Sequence, residues 1–305
     1  MKIFVTGAEG FIGSHVVEDL LARGHDVTAL VQYNSFNSVG WLEDLVRSRL
    51  ENLRVVLGDI RDTGFVHEAI AGHQMVIHLA ALIAIPYSYA APASYLETNG
   101  FGTLNVLEAS RAKGIERVVH TSTSEVYGSA QYVPIDEAHP IGAQSPYAAS
   151  KVAGDQIASS YWASFSLPVV TLRPFNAYGP RQSQRAFIPS AIVQLLAGHP
   201  EIRLGSLFPT RDFTFVRDTA AGFSDAVESD QGLGETFNMG SAFEVPMNQV
   251  VEILCDISGH KPAILQDDQR VRPAASEVER LWSNSSKMRE TFGWQPEFEG
   301  MDGLR

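Results

Sequence analysis

The chain has 305 residues, enough for one large α/β domain or two smaller ones. Hydrophobic residues make up 45% and charged residues 19%, an ordinary globular balance, and a net charge of −12 speaks against a nucleic-acid or anionic-membrane face. One cysteine, Cys255, leaves no internal disulfide or cysteine-based metal cluster, and its apolar surroundings predict a buried thiol. With no basic leader and no run of ~18 apolar residues, a soluble cytoplasmic protein is expected.

In chain order, short β-branched runs at 3–6, 27–31, 54–57, 75–79, 117–122 and 168–172 read as strands. They are continuously apolar rather than alternating, as parallel strands covered on both faces should be. Helical patterns at 11–23, 41–50, 63–71, 95–113 and 147–162 lie between them. This alternation predicts an α/β fold with a Rossmann-like doubly wound parallel sheet over residues 1–174. After Arg173-Pro174 the rhythm breaks, with a helix expected at 188–197, a strand at 213–216 and a helix at 218–227. Residues 175–305 are expected to form a smaller α/β substrate lobe, with a segment near 213–230 returning to the main sheet.

The first strand runs into Thr6-Gly7-Ala8-Glu9-Gly10-Phe11-Ile12-Gly13 and then a helix. Glycines at 7, 10 and 13 suit a tight turn, backbone approach to a pyrophosphate, and close packing of helix on sheet. Sites that prefer NAD usually carry an acid at the end of the second strand; here that end reads Val31-Gln32-Tyr33-Asn34. The missing acid leans toward NADP, although no arginine for a 2′-phosphate is present, and Gln32, Asn34 and Ser35 are neutral candidates for the ribose. Asp59 and Ile60, after the third strand, are placed to meet the adenine, while a helix cap is the competing role for Asp59.

Tyr147 and Lys151, four apart on an expected helix, share one face. A phenol with an ordinary pKa of about 10 is a poor base near neutrality, and a nearby ammonium would stabilise the phenolate. Thr121-Ser122-Thr123-Ser124-Glu125-Val126-Tyr127-Gly128, after the fifth strand, brings a hydroxyl for the same substrate oxygen. His67, His73 and His78 do not have zinc-site spacing, so no metal is expected.

Together the glycine motif, the hydroxyl and Tyr-x-x-x-Lys resemble the extended short-chain dehydrogenase/reductase superfamily over essentially the whole chain. Further resemblance lies in His78-Leu79-Ala80-Ala81, Asn99-Gly100-Phe101-Gly102-Thr103, the segment 173–181, the segment 211–216 and Arg272-Pro273. The resemblance implies that Tyr147 takes a proton from a sugar hydroxyl while Lys151 holds the nicotinamide ribose and Thr123 steadies the oxygen. Leu79, Ala80, Ala81 and Asn99 match cofactor-binding positions; Asn176, Arg211 and Arg272 match positions that contact a nucleotide diphosphate. A tightly bound, recycled NADP or NAD, a nucleotide-sugar substrate and a homodimer pairing helices 95–113 and 147–162 are implied too.

Glu125 sorts the reactions of that superfamily. Once C4 is oxidised, the C5 proton becomes acidic, and a carboxylate beside it can remove that proton so that the C6 hydroxyl leaves. Thr-Ser-Glu at 123–125 resembles GDP-mannose 4,6-dehydratases and also UDP-glucuronate decarboxylases; dTDP-glucose 4,6-dehydratases carry an Asp where Ser124 stands. Glu125 itself, having gained the C5 proton, could supply the departing hydroxyl. Segments 33–42, 81–89 and 276–280 resemble UDP- or GDP-N-acetylglucosamine 4,6-dehydratases of legionaminic-type sugar pathways. By that analogy Tyr87, Ser88 and Tyr89 lie over the sugar, with packing of the lobe interface as their alternative role. A 4-epimerase or a decarboxylase remains open; Arg185 or Arg181 reaching the sugar would favour decarboxylation.

Overall fold

The computed structural model describes residues 1–267 and 272–304. Strands β1 (Lys2–Thr6), β2 (Asp26–Gln32), β3 (Leu53–Gly58), β4 (Met75–His78), β5 (Arg117–Thr121) and β6 (Val169–Pro174) build the first half. Between them run helices α1 (Phe11–Ala22), α2 (Glu43–Arg47), α3 (Thr63–Ala69), α4 (Ile85–Ala90), α5 (Pro92–Tyr95), α6 (Gly102–Lys113) and α7 (Pro146–Phe165). The second half contains β7 (Asn176–Tyr178), α8 (Phe187–Leu196), β8 (Glu201–Leu204), β9 (Thr210–Phe215), α9 (Val216–Glu228) and β10 (Thr236–Met239). It ends with β11 (Glu244–Pro246), α10 (Met247–Ser258), β12 (Ala263–Gln266), α11 (Ser286–Phe292) and α12 (Gly300–Leu304).

The main sheet is parallel throughout, with seven strands in the order β10-β6-β5-β4-β1-β2-β3. The chain order reverses between β1 and β4, and it is at such a switch point that doubly wound sheets open a ligand crevice. Val5, Ile77, Val119 and Val170 from four strands pack with Val16 and Leu20 of α1 in one core layer. Phe4, Val76 and Val118 face the other way, onto Val106 and Leu107 of α6. That burial on both faces is why the strands read as continuous apolar runs.

The region near 213–230, expected to return to the main sheet, is divided between two layers. Strand β9 joins a separate three-stranded sheet, β11-β9-β7, and it is α9 that comes back, laying Ala220, Phe223, Ala226 and Val227 into the core beside α1. The returning strand is β10, beyond 213–230. Phe237 and Met239 of β10, Met288 and Trp294 share that core, so much of 175–305 belongs to the main layer rather than to a continuous lobe. A two-stranded β12-β8 sheet with α8 and α10 forms a satellite core around Leu204, Ala191 and Cys255, whose thiol is buried as expected. Among the described residues no helix is long and apolar enough to cross a membrane.

Candidate active site

The glycine loop lies at the switch point. Gly7 has φ +66°, and a Cβ there would sit 2.7 Å from the Ala80 nitrogen; one on Gly13 would sit 2.1 Å from the Gly7 carbonyl oxygen. Only glycine lets strand end, loop and helix start approach this closely. Phe11 and Ile12 open α1, whose N-cap, Gly10, has no side-chain capping bond, so the first N–H groups face the loop. Thr6 Oγ1 accepts the N–H groups of Leu79 and Ala80, both at 3.1 Å, which docks the 79–81 turn against the loop. The chain thus has the cradle that a dinucleotide pyrophosphate requires.

Around this cradle the expected residues divide. Asp59 is engaged by Arg61, with Arg61 Nη2 2.6 Å from Oδ2, and the two line a shallow surface pocket with Asp62, Glu97 and Phe101. The cap of α3 is Asp62, which accepts the Phe65 N–H, so Asp59 is not the cap. Ile60 is buried against Gly102. Gln32 is exposed, whereas the amide of Asn34 is used inside its own loop, accepting from Phe36 and Ser38 and donating to the Gln32 and Ser38 carbonyls. Asn99 is buried and bonded to both backbone groups of Leu82 and to Ser150 Oγ. It supports the turn after β4 rather than facing the crevice.

Beyond β5 the chain forms a single 3₁₀ turn, Ser124–Tyr127, whose N-cap Thr123 accepts the Glu125 N–H at 3.2 Å. This turn hangs Thr123 and Glu125 over the start of α7. Tyr147 is buried; the Thr123 hydroxyl is its hydrogen-bonding neighbour and the Glu125 carboxylate acts on it electrostatically. Burial pushes the Tyr147 phenol well above the ordinary tyrosine range, with Thr123 opposing. The expected activating ammonium is turned elsewhere: Lys151 Nζ donates to the Thr121 carbonyl at 2.6 Å. Burial lowers Lys151 to about 8, opposed by Asp155 one turn along. In the protein alone desolvation is the largest cause at both groups, because each charged form is taken out of water.

Asp155 anchors this floor. It accepts from His120 Nε2 (3.1 Å), Ser122 Oγ (2.7 Å) and Arg173 Nη2 (3.0 Å), and Arg173 reaches on to the Tyr127 hydroxyl. Burial alone would raise the Asp155 carboxyl, but these donors hold it below the usual range. A Tyr95 ring stands edge-on to Tyr147, and Tyr87, more than half exposed, packs against Tyr95.

Opposite Glu125 lies the second half of the chain. Arg272 Nη1 is 3.4 Å from both Glu125 carboxylate oxygens, and Glu277 pairs with Arg211 (3.3 Å) and Arg272 (3.9 Å). Arg211 is buried and bonds its own strand at Thr210, and burial lowers its guanidinium from the usual value. Asn176 Oδ1, at the head of β7, is buried with no hydrogen-bond partner among the described residues. Two arginines and an unpartnered amide suit an anionic ligand with further acceptors and donors.

Three substrate-side expectations change. Ser88 is fully buried with its hydroxyl on the Ile85 carbonyl, inside the helical turn, so it does not face the sugar. Tyr89 instead closes the interface, its hydroxyl 2.6 Å from Ser276 Oγ. Arg185 is exposed before α8 with no side-chain bond among the described residues, and Arg181 pairs with Glu18 on α1, so neither is held at Glu125. Ser124 is buried beside Glu125. Sequence reading missed Glu277, although a carboxylate five residues after Arg272 was in view, and it missed Glu9.

A seven-stranded Rossmann sheet with a glycine cradle, Tyr147, Lys151 and a facing arginine pair defines a nucleotide-sugar enzyme of the short-chain dehydrogenase/reductase class. The family model for GDP-mannose 4,6 dehydratase matches residues 4–305, and the chain belongs to this epimerase/dehydratase family. It is 32% identical to a dTDP-glucose 4,6-dehydratase of Actinoplanes sp., covering 100% of this chain and 95% of that one. Its fold matches the dTDP-glucose 4,6-dehydratase DesIV of Streptomyces venezuelae, solved with NAD bound, at a TM-score of 0.90 and 31% identity, covering 100% and 94% of the two chains. It also matches a UDP-N-acetylglucosamine 4-epimerase of Methanobrevibacter ruminantium at a TM-score of 0.86 and 30% identity, covering 97% and 93%.

Proposed function

We propose that the protein is an NAD-dependent nucleotide-sugar 4,6-dehydratase acting on UDP- or GDP-N-acetylglucosamine. The observation that carries this reading is the Glu125 carboxylate standing with Thr123 beside Tyr147. An epimerase needs no such acid, and a decarboxylase needs a cation held at the sugar, whereas Arg181 is paired with Glu18 and Arg185 is exposed ahead of α8 with no side-chain bond among the described residues holding it at Glu125. The nucleotide identity and the N-acetyl group are supported by the resemblance of segments 33–42, 81–89 and 276–280.

Bound NAD, for which the Gly7-Gly10-Gly13 cradle and the 79–81 turn fit, would supply a positive charge and a hydride carrier that takes the C4 hydride and gives it back at C6 once water has left. Tyr147 then takes the C4 hydroxyl proton, with Thr123 holding that oxygen. Lys151, fixed on Thr121, orients the nicotinamide end. Glu125 removes the C5 proton, and since Ser124 is not an acid, it returns that proton to the leaving C6 hydroxyl. Arg211, Arg272 and Asn176 bind the diphosphate, which also draws Arg272 away from Glu125 and frees the base. The superfamily resemblance also implies a homodimer that pairs the helices at 95–113 and 147–162.

Incubation with each sugar nucleotide and mass analysis of the product tests the reading. Loss of one water without external reductant is expected, and Glu125→Gln lowers turnover by about 10²–10⁴ while the sugar nucleotide still binds. An unchanged mass with altered stereochemistry, or release of carbon dioxide when UDP-glucuronate is offered instead, would overturn it.

A further inference from the structure

The end of β2 lacks the acid that usually reads the adenosine ribose, yet a carboxylate arrives there from elsewhere. Glu9, just before the second glycine of the loop, reaches across so that its Oε1 accepts the Gln32 backbone N–H at 2.8 Å. Its Oε2 is buried with no hydrogen-bond partner, and no cation pairs with it among the described residues. The chain after β2 folds back over it: the Trp41 N–H donates to the Glu9 carbonyl at 3.2 Å. Gly40, at φ +57°, passes so close that a Cβ would sit 2.9 Å from that carbonyl oxygen and 3.0 Å from the Glu9 Cβ. Asn34 pins this fold-back from within.

We propose that Glu9, bridging the glycine loop to the end of β2, supplies the carboxylate that β2 lacks and makes the site select NAD against NADP. The argument is electrostatic. An adenosine 2′-hydroxyl is neutral and tolerates an adjacent carboxylate, whereas a 2′-phosphate brings about two negative charges against a group with no compensating cation. The missing acid at the end of β2 leans toward NADP when β2 is read alone, but Glu9 brings a carboxylate to that end from the glycine loop. The backbone bond to Gln32 fixes where the charge stands, and the buried Oε2 has little water around it to screen that charge.

This inference rests on the NAD part of the proposed function and not on the sugar chemistry. The test is calorimetric titration of the purified protein, freed of co-purified nucleotide, with NAD and with NADP. The Glu9→Gln variant keeps the acceptor for the Gln32 N–H and removes the charge. Its NADP dissociation constant is expected to fall at least about tenfold while that for NAD moves less than about threefold. Glu9→Asp, which keeps the charge, should retain the discrimination of the parent. Equal binding of the two nucleotides by the parent protein, or an unchanged NADP-to-NAD ratio in Glu9→Gln, would sink the idea. Neither readout involves a sugar nucleotide, so failure to dehydrate leaves this result standing, and the reverse holds too.

Discussion

Lys151 is a lysine placed where a lysine is costly. Its ammonium is almost fully buried, and burial brings it from 10.5 down to about 8. Below pH 8 folded and unfolded chains both carry the proton, and the folded chain bears the full cost of burying it, roughly 3 kcal/mol. Between pH 8 and 10.5 the unfolded chain binds more protons, so this penalty fades as pH rises. A methionine there leaves the Thr121 carbonyl without its donor, which offsets about 1 kcal/mol of the gain. Lys151→Met should therefore abolish turnover yet be more stable at pH 7 by about 1–2 kcal/mol, the advantage shrinking toward pH 10.5. Thermal unfolding of parent and variant across that range measures it; a variant less stable at pH 7 would mean that the site welcomes the charge. Tyr147, Lys151, Thr123 and Glu125 were legible in sequence because each sits at a fixed offset within a local motif. Glu9 and Glu277 were not, since their partners Gln32 and Arg211 lie 23 and 66 residues away and no local pattern links them.

The strand and helix signals up to β6 were legible because core burial wrote them into the apolar pattern. One element broke the pattern. The helix expected over 95–113 is α5, then a π-helical stretch Leu96–Phe101, then α6. The wide turn swings Asn99 onto Leu82 and Ser150 and brings Gly102 against Ile60; all three partners are remote in sequence, so periodicity could not announce them. The glycine loop is the converse case, an element whose sequence states its own geometry. Gly13→Ala forces a Cβ to within 2.1 Å of the Gly7 carbonyl oxygen, backbone that cannot move without shifting β1 against α1. The expected result is a loss of about 1–3 kcal/mol in stability together with NAD binding weakened at least about tenfold, read by denaturant unfolding and by calorimetry. Tight NAD binding by Gly13→Ala would show that the cradle relaxes more readily than its contacts imply.

At the scale of the molecule, the second half of the chain was the least legible, because β10, α9 and Trp294 join the first half's core through contacts that no short-range pattern encodes. What that leaves outside is informative. Leu96 and Phe101 on the π-helical stretch are 48% and 58% exposed, and Phe165 at the end of the adjacent α7 is 52% exposed, with Arg111 stacked over its ring. Scattered exposed apolar residues need no explanation, but these lie on the neighbouring helices expected to meet a second copy across a two-fold axis. A two-fold axis places the same side chains on both sides, so one charge introduced here is introduced twice at close range. Phe101→Glu should therefore convert a dimer into a monomer with its far-ultraviolet circular dichroism intact. Light scattering during size-exclusion chromatography reads the mass directly. A monomeric parent, or a variant still dimeric, would place the interface elsewhere or remove it.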